Sequence, residues 1–503
     1  GPLIDEAKSK TPGIEMVVFP EGANGWFPNN QLASGANARP QLKEYFSDTI
    51  PMVQNGFPIY NPCVARTSGQ LWTLSCLARS KNIVLVANLI EYRDCTIAGT
   101  YEWGDPPCPV ADRMYLFNSL VVLGKNGQLI AKYNKRHISG TLYQIDEPTP
   151  ARTPAVFDIT FNSGDTVKFG MIICQDITYT DVVAEYRSLN VRDIIFSTHF
   201  SNGLPMWNMG ALFQGWSKYY NVNLIVANGL QGIASQGGGI YASGKLIDYF
   251  FNLNSIAADK VTSGSLPVLP LQTNGEHGTV DSKLDSSTPR TPSTPYNAQK
   301  AYATKLFKNF NLGANAVELD VSTIGTKTAV VKSLPMNNPF TGQLEFTNDF
   351  QCEFTYNILP ATPSVRSKYF LIAQQIPLSG TVSNQCEGTA FFQCGVYLCP
   401  NYPNCYYDST TNSGSQFVVS ELFSSFRLLA RGMPIYKTAM FGQVVSASGN
   451  ALEPLSTSGG SWDAESSTDK TIFNIKSPES GYSAQALSTI GITASSIFEQ
   501  VCW

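Results

Sequence analysis

The chain has 503 residues, of which 43% are hydrophobic and only 14% charged, with a formal net charge of −4. That length exceeds one ordinary hydrophobic core and predicts two domains. Lys and Arg are scattered with no sustained stripe, which argues against nucleic-acid binding. No apolar run nears the roughly 20 residues that span a bilayer, so no transmembrane segment is predicted.

Residues 1–250 alternate apolar strands with amphipathic or mixed segments, the pattern of an α/β fold. Strands are predicted at Glu15–Pro20, Ile83–Ile90, Asn118–Leu123, Leu129–Tyr133, Val167–Ile173, Asp193–Ser197 and Leu224–Asn228. Helices are predicted at Ser68–Arg79, Tyr179–Ser188 and Met206–Tyr220. Gly237-Gly-Gly239 followed by Ile240–Gly244 reads as a tight-turned strand pair. Residues 271–296 are low in apolar side chains and rich in Ser, Thr and Pro, the composition of a solvated linker or loop. Short apolar segments, frequent turn residues and six cysteines follow, which predicts a β-rich, disulfide-bearing domain over 297–503 beside an α/β domain over 1–270.

Eleven cysteines are an odd number. Cys63, Cys76, Cys95, Cys108, Cys352, Cys386, Cys394, Cys399, Cys405 and Cys502 can form five disulfides, which fits an oxidising, extracellular compartment and a secreted chain. Zinc is disfavoured, since there is no C-x-x-C pair and His137, His199 and His277 are the only histidines. There is no Asn-x-Ser/Thr sequon, so secretion is inferred from the cysteines alone.

The eleventh cysteine, Cys174, ends the apolar run Phe169-Gly-Met-Ile-Ile-Cys174-Gln-Asp176. A thiol becomes a strong nucleophile as the thiolate, which needs a base or a positive charge beside it. Two other strand exits supply them: Met16-Val-Val-Phe-Pro-Glu21 ends in a carboxylate and Ala131-Lys-Tyr-Asn-Lys135-Arg-His137 in a basic cluster. Glu21 can shuttle the thiol proton to a leaving amine, and Lys135 can stabilise the oxyanion formed at an amide carbonyl. Taken singly, each residue has a bland alternative as inert core or solvated turn. The conjunction of all three favours chemistry.

Glu21, Lys135 and Cys174, in that order and each at a strand exit, resemble the triad of the nitrilase (carbon–nitrogen hydrolase) superfamily. Phe19-Pro-Glu21-Gly-Ala-Asn-Gly25-Trp26, Lys132-Tyr-Asn-Lys135 and the Cys174 segment are similar to its three motifs. The stretch from Cys95 to Asp105-Pro-Pro-Cys108-Pro, the segment Ile195–Pro205 with Trp216, the turn Gly238–Ala242 and the run Cys394–Cys405 resemble the vanin/biotinidase branch. The resemblance implies a nitrilase-like α-β-β-α sandwich followed by a vanin-type base domain, with a Cys95–Cys108 bridge. It implies a secreted thiol amidase that cleaves a small-molecule linear amide of a vitamin conjugate, such as pantetheine, without metal or cofactor. Trp26, His199 and Phe200 are the expected substrate-binding residues.

The chain departs from the family pattern in several places. The second glutamate that many nitrilases carry after the lysine falls near Thr141-Leu142-Tyr143, where there is no carboxylate; Asp146, Glu147 or Tyr143 is expected to take its place. The glutamate loop is one residue shorter than in vanins, and His199-Phe200 replaces Ala-Trp. A strand and most of a helix are expected ahead of the Glu21 strand, with residues 4–10 as the helix tail. Other readings are a biotinidase-type hydrolase and a non-catalytic relative with a structural, storage or binding role. A serine hydrolase is disfavoured by the lack of a G-x-S-x-G elbow. A papain-like Cys–His pair would need His137 or His199 beside Cys174.

Overall fold

The computed structural model describes residues 1–23, 38–51, 60–98, 100–138, 145–149, 154–178, 180–200, 209–229, 238–250, 261–267 and 269, and in the C-terminal part 329–334, 340–345, 351–360, 368–377, 390–399, 421–431, 439–445, 452–454, 463–466, 472–476 and 487–495. Among the described residues, eleven strands build the N-terminal part: β1 (Met16–Val18), β2 (Ser47–Asp48), β3 (Val84–Asp94), β4 (Met114–Leu123), β5 (Leu129–Asn134), β6 (Val156–Thr160), β7 (Thr166–Ile173), β8 (Asp193–Thr198), β9 (Asn223–Asn228), β10 (Gly238–Ala242) and β11 (Lys245–Phe250). One sheet runs β1-β3-β4-β5, with β2 also paired to β3; the other runs β11-β10-β9-β8-β7-β6. The helices are α1 (Pro2–Lys10), the single turns α2 (Ala38–Gln41) and α3 (Pro62–Ala65), then α4 (Gln70–Lys81), α5 (Thr180–Ser188) and α6 (Met209–Tyr220).

Side-chain alternation along each strand dictates the layering. In β7, Val167, Phe169, Met171 and Ile173 face one way and join Val84, Val86, Leu120, Val122 and Tyr133 of the opposite sheet. Ile172 faces the other way, into a layer with Val182, Val183 and Tyr186 of α5 and Phe213 and Trp216 of α6. On the outer face of the first sheet, Ile4 of α1 and Leu71 and Ala78 of α4 pack on Leu85, Ala87 and Val121. The result is the expected α-β-β-α sandwich. The central strands β3 and β4 are buried on both faces, which is why they read as long, mostly apolar runs.

The strand that carries Cys174 is fixed from the helix side. The Tyr186 hydroxyl accepts from the Met171 amide at 3.0 Å and donates to the Met171 carbonyl at 2.6 Å. A Cβ on Gly170 would lie 2.7 Å from the Tyr186 ring, so this close approach requires glycine.

One feature differs from the sequence reading. Strand β6, paired antiparallel with β7, was not foreseen. The tight-turned strand pair expected here is the β10–β11 hairpin, which turns at Ser243-Gly244, both with positive φ, with Gly238 and Gly239 inside β10.

The C-terminal part is all β among the described residues: β12 (Ala329–Ser333), β13 (Phe340–Glu345), β14 (Gln351–Pro360), β15 (Lys368–Pro377), β16 (Ala390–Cys399), β17 (Glu421–Arg431), β18 (Ala439–Val445), β19 (Leu452–Pro454), β20 (Asp463–Ser466), β21 (Ile472–Lys476) and β22 (Leu487–Ser495). They form sheets ordered β12-β15-β16-β22-β18-β19 and β13-β14-β17-β21-β20. Cys352 of β14 and Cys394 of β16 bridge one sheet to the other. Phe354, Tyr356, Tyr369 and Phe423 pack around that bridge's strands as a buried aromatic cluster. Cys63–Cys76 and Cys95–Cys108 are also bridged. Cys386, Cys405 and Cys502 lie outside the described residues, as do Trp26, Tyr143 and the 271–296 segment; Cys399 is placed at the end of β16 by its backbone alone.

Candidate active site

Glu21, Lys135 and Cys174 come together where β1, β5 and β7 end. Glu21 follows Pro20 at the start of a turn that Gly22 closes at φ +71°. Its carboxylate is 1% exposed and fully engaged. Oε1 accepts from Lys135 Nζ at 3.0 Å and from Asn118 Nδ2 at 2.7 Å, and Oε2 accepts from the His199 amide at 3.1 Å. A relay of amides aims Asn118: Gly22 N–H donates to Asn88 Oδ1 at 3.0 Å, and Asn88 Nδ2 donates to Asn118 Oδ1 at 2.6 Å. At the end of β8, the Ser197 hydroxyl donates to the Phe19 carbonyl at 2.9 Å and ties that strand to the Glu21 turn.

Lys135 leaves β5 with its amide donating to the Asn118 carbonyl at 2.8 Å, and its side chain is 0% exposed. Burial alone would strip its proton. The negative charge that Cys174 would carry as a thiolate, with those of Glu21 and Asp176, outweighs that and holds the ammonium more firmly than in an ordinary lysine. The expected substitute for a second glutamate is not Asp146. That carboxylate is taken by Arg39 at 3.1 Å and by the Leu116 amide at 2.7 Å, and Glu147 is exposed. The second carboxylate near Lys135 is Asp176, which acts through its field.

Cys174 stands at φ +46°, a left-handed conformation that a non-glycine residue adopts only under constraint. It is the free cysteine among the described residues and is buried. Asp176, two residues on, enforces this elbow. Its Oδ2 accepts from the Ile173 amide at 2.9 Å and from the Tyr133 hydroxyl at 2.8 Å, and its Oδ1 accepts from the His137 amide at 2.9 Å. One carboxylate thus joins the strand end bearing Cys174 to the strand end bearing Lys135. Burial pushes the Asp176 carboxyl above its usual range, while His137, Lys135 and these donors pull the other way.

Burial, and then the Glu21 charge, push the Cys174 thiol up to about 12; the Lys135 ammonium, the Thr198 hydroxyl and the His199 amide pull it down. The sulfur therefore sits between a carboxylate and an ammonium and holds its proton more tightly than an ordinary cysteine.

Of the expected substrate-binding residues, His199 and Phe200 lie directly after β8. The Phe200 amide donates to Asn228 Oδ1 at 2.9 Å, and its ring packs edge-on to Phe213. A cavity of about 950 Å³ reaches Glu21, His199, Asn228 and Gly229 and extends from there between β1 and residues 261–267, and neither Lys135 nor Cys174 lines it. The sequence reading missed Asn118, Asp176 and Thr198 as site residues. Asp176 and Thr198 stand inside the family-like segments and Asn118 opens a predicted strand, so a polar residue within or just after an apolar strand was the available signal.

A family model for carbon–nitrogen hydrolases matches residues 2–238. Pantetheinase of Bos taurus is 31% identical over 232 residues, covering 46% of this chain and 41% of that protein. Pantetheinase of Sus scrofa is 30% identical over 218 residues, 43% of this chain and 38% of that protein. Biotinidase of Takifugu rubripes is 27% identical over 229 residues, 45% and 41% of the two chains. The chain thus spans about two fifths of the length of these relatives. Among solved structures, a branch 10 nitrilase-superfamily protein of Saccharomyces cerevisiae aligns at 17% identity with a TM-score of 0.34, covering 50% of this chain and 77% of that one. Residues 2–238 thus carry a carbon–nitrogen hydrolase (nitrilase-superfamily) domain, and that part of the chain is similar to the pantetheinases and biotinidases of the vanin/biotinidase branch.

Proposed function

We propose that this chain is a thiol amidase that hydrolyses a linear amide of a vitamin conjugate, with pantetheine as the leading substrate. The observation that carries the reading is the buried contact of Lys135 Nζ with Glu21 Oε1 at 3.0 Å, both groups acting on the one free thiol among the described residues. Glu21 takes the Cys174 proton as the sulfur attacks the amide carbonyl and a C–S bond forms. Lys135 stabilises the oxyanion. Glu21 then passes the proton to the amine nitrogen, the C–N bond breaks, and a thioester remains on Cys174. Water, deprotonated by Glu21, attacks the thioester; the C–S bond breaks, Glu21 returns the proton to the Cys174 sulfur, and the acid is released. His199 and Phe200 line the acyl side.

We propose that this catalytic domain covers residues 1–270, that 271–296 link it to a base domain over 297–503, and that the protein is secreted. Three disulfides among the described residues favour an oxidising compartment. The test is release of cysteamine from pantetheine by the oxidised chain, with biotinyl-lysine as the parallel substrate. One observation favours a second, non-catalytic reading: among the described residues Lys135 Nζ has Glu21 as its hydrogen-bonding carboxylate, and Asp146 is committed to Arg39. Absence of turnover on both substrates establishes that reading.

A further inference from the structure

We propose that Thr198 is a catalytic residue whose hydroxyl, beside the His199 amide, donates to the Cys174 sulfur when that sulfur carries charge. The inference rests on Cys174 being the nucleophile. Strands β7 and β8 are parallel, with Ile173 opposite Ser197, so the next residues, Cys174 and Thr198, leave the sheet side by side. Thr198 is 0% exposed, and its Oγ1 makes no hydrogen bond of full geometry in the resting site, although it lies near enough to the Cys174 sulfur to pull that thiol down. A buried hydroxyl without a full hydrogen bond is costly, and valine would fill the same volume at no such cost. The hydroxyl faces the Cys174 sulfur, as does the His199 amide that also holds Glu21 Oε2.

A neutral thiol is a weak acceptor and a thiolate a strong one, so this hydrogen bond forms as negative charge reaches the sulfur. It does so twice, when the thiol loses its proton to Glu21 and when thiolate leaves the thioester. Interactions made only with the charged species lower the barrier without stabilising the ground state. The other ionisable groups around the sulfur are Glu21 beyond β1, Lys135 with His137 beyond β5, Asp176 in the same turn, and His199 beyond β8.

The test compares the rate of Cys174 alkylation by iodoacetamide across pH in wild type, Thr198→Val and Thr198→Ser, read from the mass of the Cys174 peptide and run beside amide turnover. Thr198→Val is expected to react roughly tenfold more slowly at pH 8, with its profile displaced upward by about one pH unit. Its melting temperature is expected to equal or exceed wild type, because a buried hydroxyl without a full hydrogen bond has been removed. Thr198→Ser keeps the donor and is expected to recover most of the rate. A folded Thr198→Val with the wild-type profile overturns the inference and leaves the nucleophile in place. A wild-type Cys174 inert to iodoacetamide, with no amide turnover, overturns both. Should Thr198→Val fail to fold, Thr198→Ala gives the same comparison.

Discussion

Removing the Asp176 carboxylate should loosen both halves of the site together. In Asp176→Ala, the Ile173 amide, the His137 amide and the Tyr133 hydroxyl, now at 2.9, 2.9 and 2.8 Å from the carboxylate oxygens, lose their acceptor. Each buried donor left unpaired costs about 1–3 kcal/mol. Relief of the desolvation that raises the Asp176 carboxyl offsets part of that sum. The net expectation is a loss of roughly 3–5 kcal/mol, measured by urea unfolding. Asp176→Asn keeps the volume and one acceptor oxygen, and should lose about half as much. Because the same carboxylate fixes the strand ends bearing Cys174 and Lys135, turnover in folded Asp176→Asn should fall about 100-fold, the effect of a small misplacement of reacting groups. Asp176→Ala within 1 kcal/mol of wild type and within threefold of its turnover would refute the claim that this carboxylate sets the elbow.

The other expectations are narrower. Lys135→Ala and Glu21→Gln should each cut turnover by roughly 100- to 1,000-fold in folded protein, since one removes the oxyanion's cation and the other the base; steady-state kinetics decide. Gly229→Ala should raise KM more than it lowers kcat, because its Cβ would stand 2.1 Å from His199 Nδ1 and must push that ring aside. Folded Cys174 holds its proton up to about 12 against an ordinary value of 9.0. The folded state therefore binds more protons than the unfolded state above pH 9, and stability should decline as pH rises from there. Cys174→Ala should flatten the onset of that decline, and unfolding series at pH 8, 9 and 10 measure it.

The central strands were legible because the sandwich buries both of their faces, so a run such as Ile83–Ile90 is apolar but for Asn88. The meeting of Glu21, Lys135 and Cys174 was legible because each sits where such a run stops. Strand β6 was not, since Val156-Phe-Asp-Ile-Thr160 is a half-exposed edge whose alternation covers only five residues. The strand pair after Gly237 was legible, and Gly239 lies within its first strand, where a Cβ would come 2.7 Å from the Asp248 carbonyl oxygen. The support around the triad was hidden for a different reason. Asn118 reaches Glu21 across 97 positions and Arg39 takes Asp146 across 107, and no local pattern announces pairs so far apart. Asp176 lay in plain view two residues from the thiol, but its donors come from β5 and β7 together, a contact that exists only once the sheets are packed.

The central claim is that Cys174 carries the acyl group during amide hydrolysis. The direct measurement is to incubate the oxidised protein with pantetheine, quench in acid, and weigh the peptide containing Cys174 while following cysteamine release. Wild type should release cysteamine and show a pantothenoyl adduct on Cys174, and Cys174→Ala, folded, should do neither. Cysteamine release by Cys174→Ala, or an adduct on any other residue, would contradict the account.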